Sequence, residues 1–193
     1  MKKLVIGVTG SIAAVKIPAL LTLLRGKLDV TIAMTDSARE FVGPQAFLAL
    51  TGNPVITTIW EPAYSKPKHI DLADELDALL IAPATANIIG KMANGVADDP
   101  VSTLAISVLP NEKPVIVAPA MNTRMWKHPA TQHNVETLRS WGIHIVDPAE
   151  GDLACGWQGV GRLAEPDAIA EAVLRIVGEG TKRKNAASQP RRK

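Results

Sequence analysis

Five short apolar runs punctuate the chain: Leu4 to Val8, Asp29 to Met34, Ala78 to Ala82, Pro114 to Ala118 and Ile143 to Val146. Between them lie stretches of helical composition, with helices expected over Asn87 to Ala93, Val101 to Val108, Thr131 to Trp141 and Pro166 to Val177. Strands that alternate with helices in this way argue for a parallel, doubly wound, three-layer α/β fold. The opening is the clearest unit. Thr9-Gly10-Ser11 ends the first run and turns into a segment in which Ile17, Leu20, Leu21 and Leu24 recur at helical spacing. Ser11 is placed to cap that helix, and Pro18 should kink it or mark a break near the preceding turn. The crossover back to Asp29 is long enough for parallel pairing. Val55 to Ile59 reads either as a further strand or as loop, because Pro54, Trp60 and Pro62 surround it.

At 193 residues and 47% hydrophobic, the chain supports one substantial core rather than two. One domain is expected over residues 1–178, with no internal repeat and no interdomain linker. Two segments fall outside the regular pattern. Trp60 to His69 carries two prolines, Pro62 and Pro67, and Gly151 to Leu163 carries glycines at 151, 156, 159 and 161. The second is a candidate functional flap, spanning about residues 150–164, ahead of the terminal helix.

The net charge of +2 hides an asymmetry. Lys182, Arg183, Lys184, Arg191, Arg192 and Lys193 lie in an end segment with no acid from Gly180 onward. Setting these six aside leaves 15 basic against 19 acidic residues, so a nucleic-acid partner would rest on the tail alone. Residues 179–193 are expected to be a solvated, disordered basic tail. One cysteine excludes an internal disulfide framework, and four histidines with it show no zinc spacing, so no metal is expected. The Met-Lys-Lys start is not read as a signal peptide, since Gly7, Thr9, Gly10 and Ser11 interrupt the apolar run. No segment reaches the roughly twenty apolar residues that span a bilayer. A cytoplasmic protein with no membrane partner is the resulting expectation.

Polar loops follow three of the strands. Gly7-Val-Thr-Gly-Ser11 offers exposed amides and a helix start to a phosphate, although a tight strand-to-helix turn accounts for its glycines equally well. Thr35-Asp36-Ser37 and Pro83-Ala-Thr-Ala-Asn87 add hydroxyls at the same sheet edge, and Ser37 could equally be a helix cap. Together the three loops point to a phosphate-bearing ligand across the switch point of the sheet. His69 on position alone is a surface or capping residue. Asn122, after the fourth strand, has the ordinary role of a turn cap, and Cys155 would ordinarily be a small buried hydrophobe.

These segments follow one another in a recognisable order. From Gly7 the chain reads Gly-x-Thr-Gly-Ser-Ile-Ala-Ala, from Thr35 Thr-x-Ser-Ala-x-x-Phe, from His69 His-Ile-x-Leu, and from Ala82 Ala-Pro-Ala-Thr-Ala-Asn. Pro119 begins Pro-Ala-Met-Asn-x-x-Met-Trp, and Ala154 begins Ala-Cys-Gly. The combination resembles the flavin-containing cysteine decarboxylases over nearly the whole chain, up to about residue 177. The resemblance implies a Rossmann-like flavoprotein fold and FMN as cofactor, with Gly10, Ser11 and Ser37 near its phosphate and Thr85 and Ala86 near its ring. It implies His69 and Cys155 as catalytic residues, and Asn122, Met125, Ala154 and Arg162 as substrate-binding residues. The implied reaction is decarboxylation of 4′-phosphopantothenoylcysteine to 4′-phosphopantetheine in coenzyme A biosynthesis. A homotrimer or homododecamer with shared active sites is implied as well. Many relatives fuse such a domain to a cysteine-ligating synthetase, so either a separate polypeptide supplies that step or the chain is a fragment. Trp157 and Gln158 stand where the family often has an acidic residue. The rival expectations are a peptidyl-cysteine decarboxylase, a flavin prenyltransferase and a non-catalytic flavoprotein subunit.

Overall fold

The computed structural model describes residues 1–58, 68–152 and 158–187. Strands β1 (Lys2–Val8), β2 (Leu28–Met34), β3 (Ala78–Ala84), β4 (Val115–Pro119) and β5 (His144–Ile145) form a parallel sheet in the order β2-β1-β3-β4-β5. All five coincide with the apolar runs of the sequence. β3 is buried at all seven positions, as expected for a strand covered on both faces.

The period of two sorts each strand between two cores. Leu4, Ile6 and Val8 of β1, with Leu80 of β3 and Ile116 of β4, pack against helices α1 (Ile17–Leu24), α3 (Pro44–Thr51) and α9 (Pro166–Ala187). Val5, Leu79, Ile81 and Val117 point the other way, toward α4 (Lys68–Glu75), α5 (Ala86–Ala93), α6 (Pro100–Ser107) and α8 (Pro129–Ser140). Gly7 has no side chain because α6 leaves no room, as an added Cβ would lie 2.6 Å from a methyl of Val101. The three-layer, doubly wound architecture follows from this division.

Pro18 acts as a break. Ser11 caps a 3-10 turn over Ile12–Lys16, and α1 then starts afresh at Ile17 with the proline in its first turn, where its missing N–H costs nothing. Two short helices follow β2 where no helix is expected from periodicity. The first, α2 (Asp36–Arg39), is capped by Thr35, whose side chain accepts from Ala38 N, so Ser37 lies inside the turn rather than capping it. The second is α3, stopped by Gly52 at φ +74°. Of the ambiguous segment Val55 to Ile59, the described residues 55–58 contribute one rung of ladder, at Ile56, and Ile59 lies outside the described residues. Ile56 N donates to Ile32 O at 2.9 Å, and Met34 N donates to Ile56 O at 2.8 Å. Beside it, Asn53 Nδ2 donates to Val30 O at 2.9 Å.

The Gly-rich segment forms an antiparallel hairpin of β6 (Ala149–Asp152) and β7 (Gln158–Arg162), apart from the main sheet. The final helix continues to Ala187, past the expected end at Val177, so the start of the segment expected as a disordered tail prolongs α9. Residues 181–187 include Lys182, Arg183, Lys184, Ala186 and Ala187, which have good helix propensity. Among the described residues no helix is long and apolar enough to cross a membrane.

Candidate active site

The strand order 2-1-3-4-5 reverses direction between β1 and β3, and open α/β sheets bind ligands in the crevice beyond the carboxyl ends of the strands at that point. Here the crevice is lined by the loops after β1, β2 and β3. Thr9 leaves β1 and is 2% exposed. Its hydroxyl donates to Pro83 O at 2.6 Å and accepts from Thr85 N at 3.2 Å, so it joins the loops that follow β1 and β3. Ser11 is the next side chain on this rim and accepts from Ala13 N at 3.3 Å. Gly10 lies against the loop after β2, since a Cβ added there would sit 2.4 Å from the Ser37 Cβ. Thr85 caps α5 by accepting from Ile88 N at 3.3 Å, and Ala86 is the first residue of that helix.

The expected cofactor residues Gly10, Ser11, Ser37, Thr85 and Ala86 are therefore gathered along one crevice. Its donors are hydroxyls and helix-start amides rather than side-chain cations. That set fits a phosphate ester held by neutral hydrogen bonds and helix dipoles.

A second cluster forms beyond β4. Asn122 caps the short helix α7 (Thr123–Trp126), with Oδ1 accepting from Arg124 N at 2.8 Å. Met125 is 48% exposed, while Trp126 packs on the α4–α8 side of the core. The hairpin is fastened to this loop, because Met121 N donates to Gly161 O at 2.8 Å. At two positions of β7 the approach is close enough that only glycine fits. A Cβ at Gly161, where φ is +139°, would lie 2.4 Å from Met121 O, and one at Gly159 would lie 2.6 Å from the Thr123 hydroxyl. Arg162, at the end of β7, pairs with Glu165, which also lies 3.6 Å from Lys16 Nζ. The hairpin base is thereby tied to the 3-10 turn after the first loop.

His69 stands apart from both clusters. It is in the first turn of α4, and its Nδ1 is buried with no hydrogen-bond partner among the described residues. With Ala33, Ile56, Thr58, Leu72, Pro100 and Leu104 it lines a cavity of about 10 Å³, the scale of one water molecule. This position is next to β2, whereas Asn122 follows β4, three strand spacings or about 14 Å across the sheet. Ala154 and Cys155 lie outside the described residues. The other histidine near a helix start is structural, as His128 Nδ1 caps α8 by accepting from Ala130 N at 3.2 Å.

Thr9 and the Pro83 carbonyl are the crevice groups that local reading of the sequence does not single out. A hydroxyl ending an otherwise apolar strand, next to Gly-Ser, was the available signal.

The flavoprotein family profile matches residues 1–178. The coenzyme A biosynthesis bifunctional protein CoaBC of Bacillus subtilis (strain 168) is 44% identical over 176 residues, which is 90% of this chain and 43% of that protein. The chain thus spans about two-fifths of the length of the curated relatives it matches. Among solved structures, a cysteine-to-serine variant of PPC decarboxylase complexed with pantothenoylaminoethenethiol superposes with a TM-score of 0.83 at 30% identity, covering 92% of this chain and 98% of the other. The FMN-dependent cysteine decarboxylase SpaF does so with a TM-score of 0.80 at 32% identity, covering 94% and 98%.

Proposed function

The chain belongs to the flavoprotein family, and from that premise we propose that it is an FMN-dependent decarboxylase of 4′-phosphopantothenoylcysteine, working in the cytoplasm in coenzyme A biosynthesis. The observation that carries this reading is the Met121–Gly161 hydrogen bond. It fastens the hairpin whose connecting residues include Cys155, the chain's single cysteine, onto the loop that presents Asn122.

In this reading Gly10, Ser11 and Ser37 hold the FMN phosphate, and Thr85 and Ala86 lie beside the ring. FMN, when bound, supplies the two-electron oxidation of the substrate thiol to a thioaldehyde, the electron sink that loss of carbon dioxide requires, and the matching reduction afterwards. The protein's own residues bind, orient and move protons. The Asn122 amide donates to the substrate carboxylate and Met125 closes the apolar side of that pocket. His69 takes the proton of the substrate thiol, for which a neutral imidazole is the suited base. Cys155 would donate the proton that accompanies the hydride equivalent supplied by reduced flavin as the ene-thiol is saturated to the aminothiol, with Ala154 beside it against the substrate. Arg162 holds its place at the hairpin base through Glu165 and comes into reach of the substrate when that pair opens.

Within one chain His69 lies beside β2 and Asn122 beyond β4. Their separation supports a site completed by a second copy, in a homotrimer or in a homododecamer of four trimers. Native mass measurement tests the assembly. The activity is tested by adding 4′-phosphopantothenoylcysteine to the purified yellow protein and following carbon dioxide and 4′-phosphopantetheine. An inert yellow protein would remove the substrate assignment, and one active instead on a peptide ending in cysteine would establish the peptidyl alternative.

A further inference from the structure

The ladder between β1 and β3 runs from Leu4–Ala78 to Gly7–Ile81, and beyond it β3 changes register before pairing Ala84 with Pro119 of β4. The two strands then send their chains to opposite faces of the sheet, β1 into the 3-10 turn and α1, and β3 into α5. Where strands diverge in this way their last peptide groups lose ladder partners, and buried peptide groups need substitutes. Thr9 is the substitute. A hydroxyl has one proton to give and lone pairs to receive, and here the proton goes to Pro83 O at 2.6 Å while Thr85 N donates to the oxygen at 3.2 Å. Thr85 in turn starts α5: its carbonyl accepts from Ile89 N at 3.1 Å and its hydroxyl from Ile88 N at 3.3 Å.

We propose that Thr9 is the positioning residue of the flavin crevice: its hydroxyl sets the orientation of Thr85 and the start of α5 relative to the Gly10–Ser11 loop, and so fixes the distance between the phosphate end and the ring end of the site. This rests on the assignment of FMN to the crevice. Thr9 does not have to touch the ligand, because it acts through the Thr85 peptide. A side chain of the same shape without the hydroxyl removes the partner of both Pro83 O and Thr85 N.

The test is FMN binding by fluorescence quenching in wild type, Thr9→Val, Thr9→Ala and Thr9→Ser, with the visible circular dichroism of the bound flavin recorded at saturation. The two variants without a hydroxyl are expected to raise the Kd for FMN by about tenfold to a hundredfold and to change the dichroic band. Thr9→Ser is expected to stay within about threefold of wild type with the band restored. Thr9→Ala adds no bulk, so it decides the matter should Thr9→Val fail to fold. Wild-type affinity and an unaltered band in Thr9→Ala would overturn the proposal, as would a Thr9→Ser variant as weak as Thr9→Ala. Failure of the wild-type protein to bind FMN would instead remove the cofactor assignment on which it rests.

Discussion

Replacing Gly161 by alanine separates the hairpin from the crevice more cleanly than any other single change. The backbone there has φ of +139°, and the added Cβ would lie 2.4 Å from Met121 O, a main-chain atom that cannot rotate away. Reaching van der Waals contact requires a retreat of about 1 Å. That retreat stretches the 2.8 Å Met121–Gly161 hydrogen bond beyond bonding range. Keeping the native position would cost about 1–2 kcal/mol in backbone strain and about 1–3 kcal/mol in overpacking. Releasing β7 costs only the bond itself, about 1 kcal/mol, so release wins. A net bias of about 2 kcal/mol toward the lifted hairpin is a change of roughly 30-fold in population. Steady-state decarboxylation should therefore fall about 30-fold in kcat/KM, while the Kd for FMN stays within about twofold. Because the hairpin is outside the main sheet, the melting temperature should drop by no more than about 4 °C, and amide exchange should rise in 149–152 and 158–162. Full activity with unchanged exchange would refute the clamp. An equal loss of FMN affinity would refute its independence from the crevice.

Gly10→Ala should do the reverse, pushing the Ser37 loop away and weakening FMN binding by about tenfold, with the hairpin's exchange rates unaltered; fluorescence titration and exchange measurements together check it. Cys155→Ser should yield carbon dioxide but accumulate the ene-thiol product in place of 4′-phosphopantetheine, detectable by mass spectrometry, and unchanged formation of 4′-phosphopantetheine would remove Cys155 from the proton transfer. Asp99→Ala removes the α6 cap, in which Asp99 accepts from Val101 N and Ser102 N at 2.9 Å; a loss of about 1–2 kcal/mol, or roughly 2–8 °C in Tm, is expected by thermal denaturation. Lys91 binds both Asp98 and Asp99, and its hydrogen bond holds the Asp98 carboxyl below the usual carboxylate range. A depressed carboxyl stabilises above its unfolded pKa of about 4 and ceases to do so as pH falls through the folded value. Asp98→Asn should accordingly flatten the fall in Tm between pH 5 and pH 3, and identical profiles would show that the pair contributes nothing.

The sheet was legible because its strands are buried on both faces and read as apolar runs; Pro18 announced the break after the 3-10 turn. Residues 36–51 were harder. Their helices are short, and the first is capped by Thr35 rather than by the residue two places on. The hairpin was visible only as a Gly-rich stretch, since its glycines answer contacts with Met121 and Thr123 that are far off in sequence. The end of α9 was misplaced because a basic run without acids looks disordered by composition, yet its residues have good helix propensity. The loops that carry Gly10, Ser11, Ser37, Thr85 and Ala86 were legible from ordered motifs. The role of Thr9 was not, because it depends on β3 lying beside β1, and strand order is not written in any local segment. The motifs likewise named His69 and Asn122 without conveying that one chain holds them on different parts of the sheet.

The short segment beside β2 decides what can align along that border of the sheet. An edge strand with bare peptide groups is a template on which another chain can align. Asn53 and Ile56 occupy Val30 O, Ile32 O and Met34 N along that edge, and the opposite edge, β5, pairs through only two residues. Neither border invites a stranger's strand. Contact between copies would therefore have to run through side-chain surfaces rather than through a shared sheet, and the same guarded borders disfavour edge-to-edge growth of newly made chains.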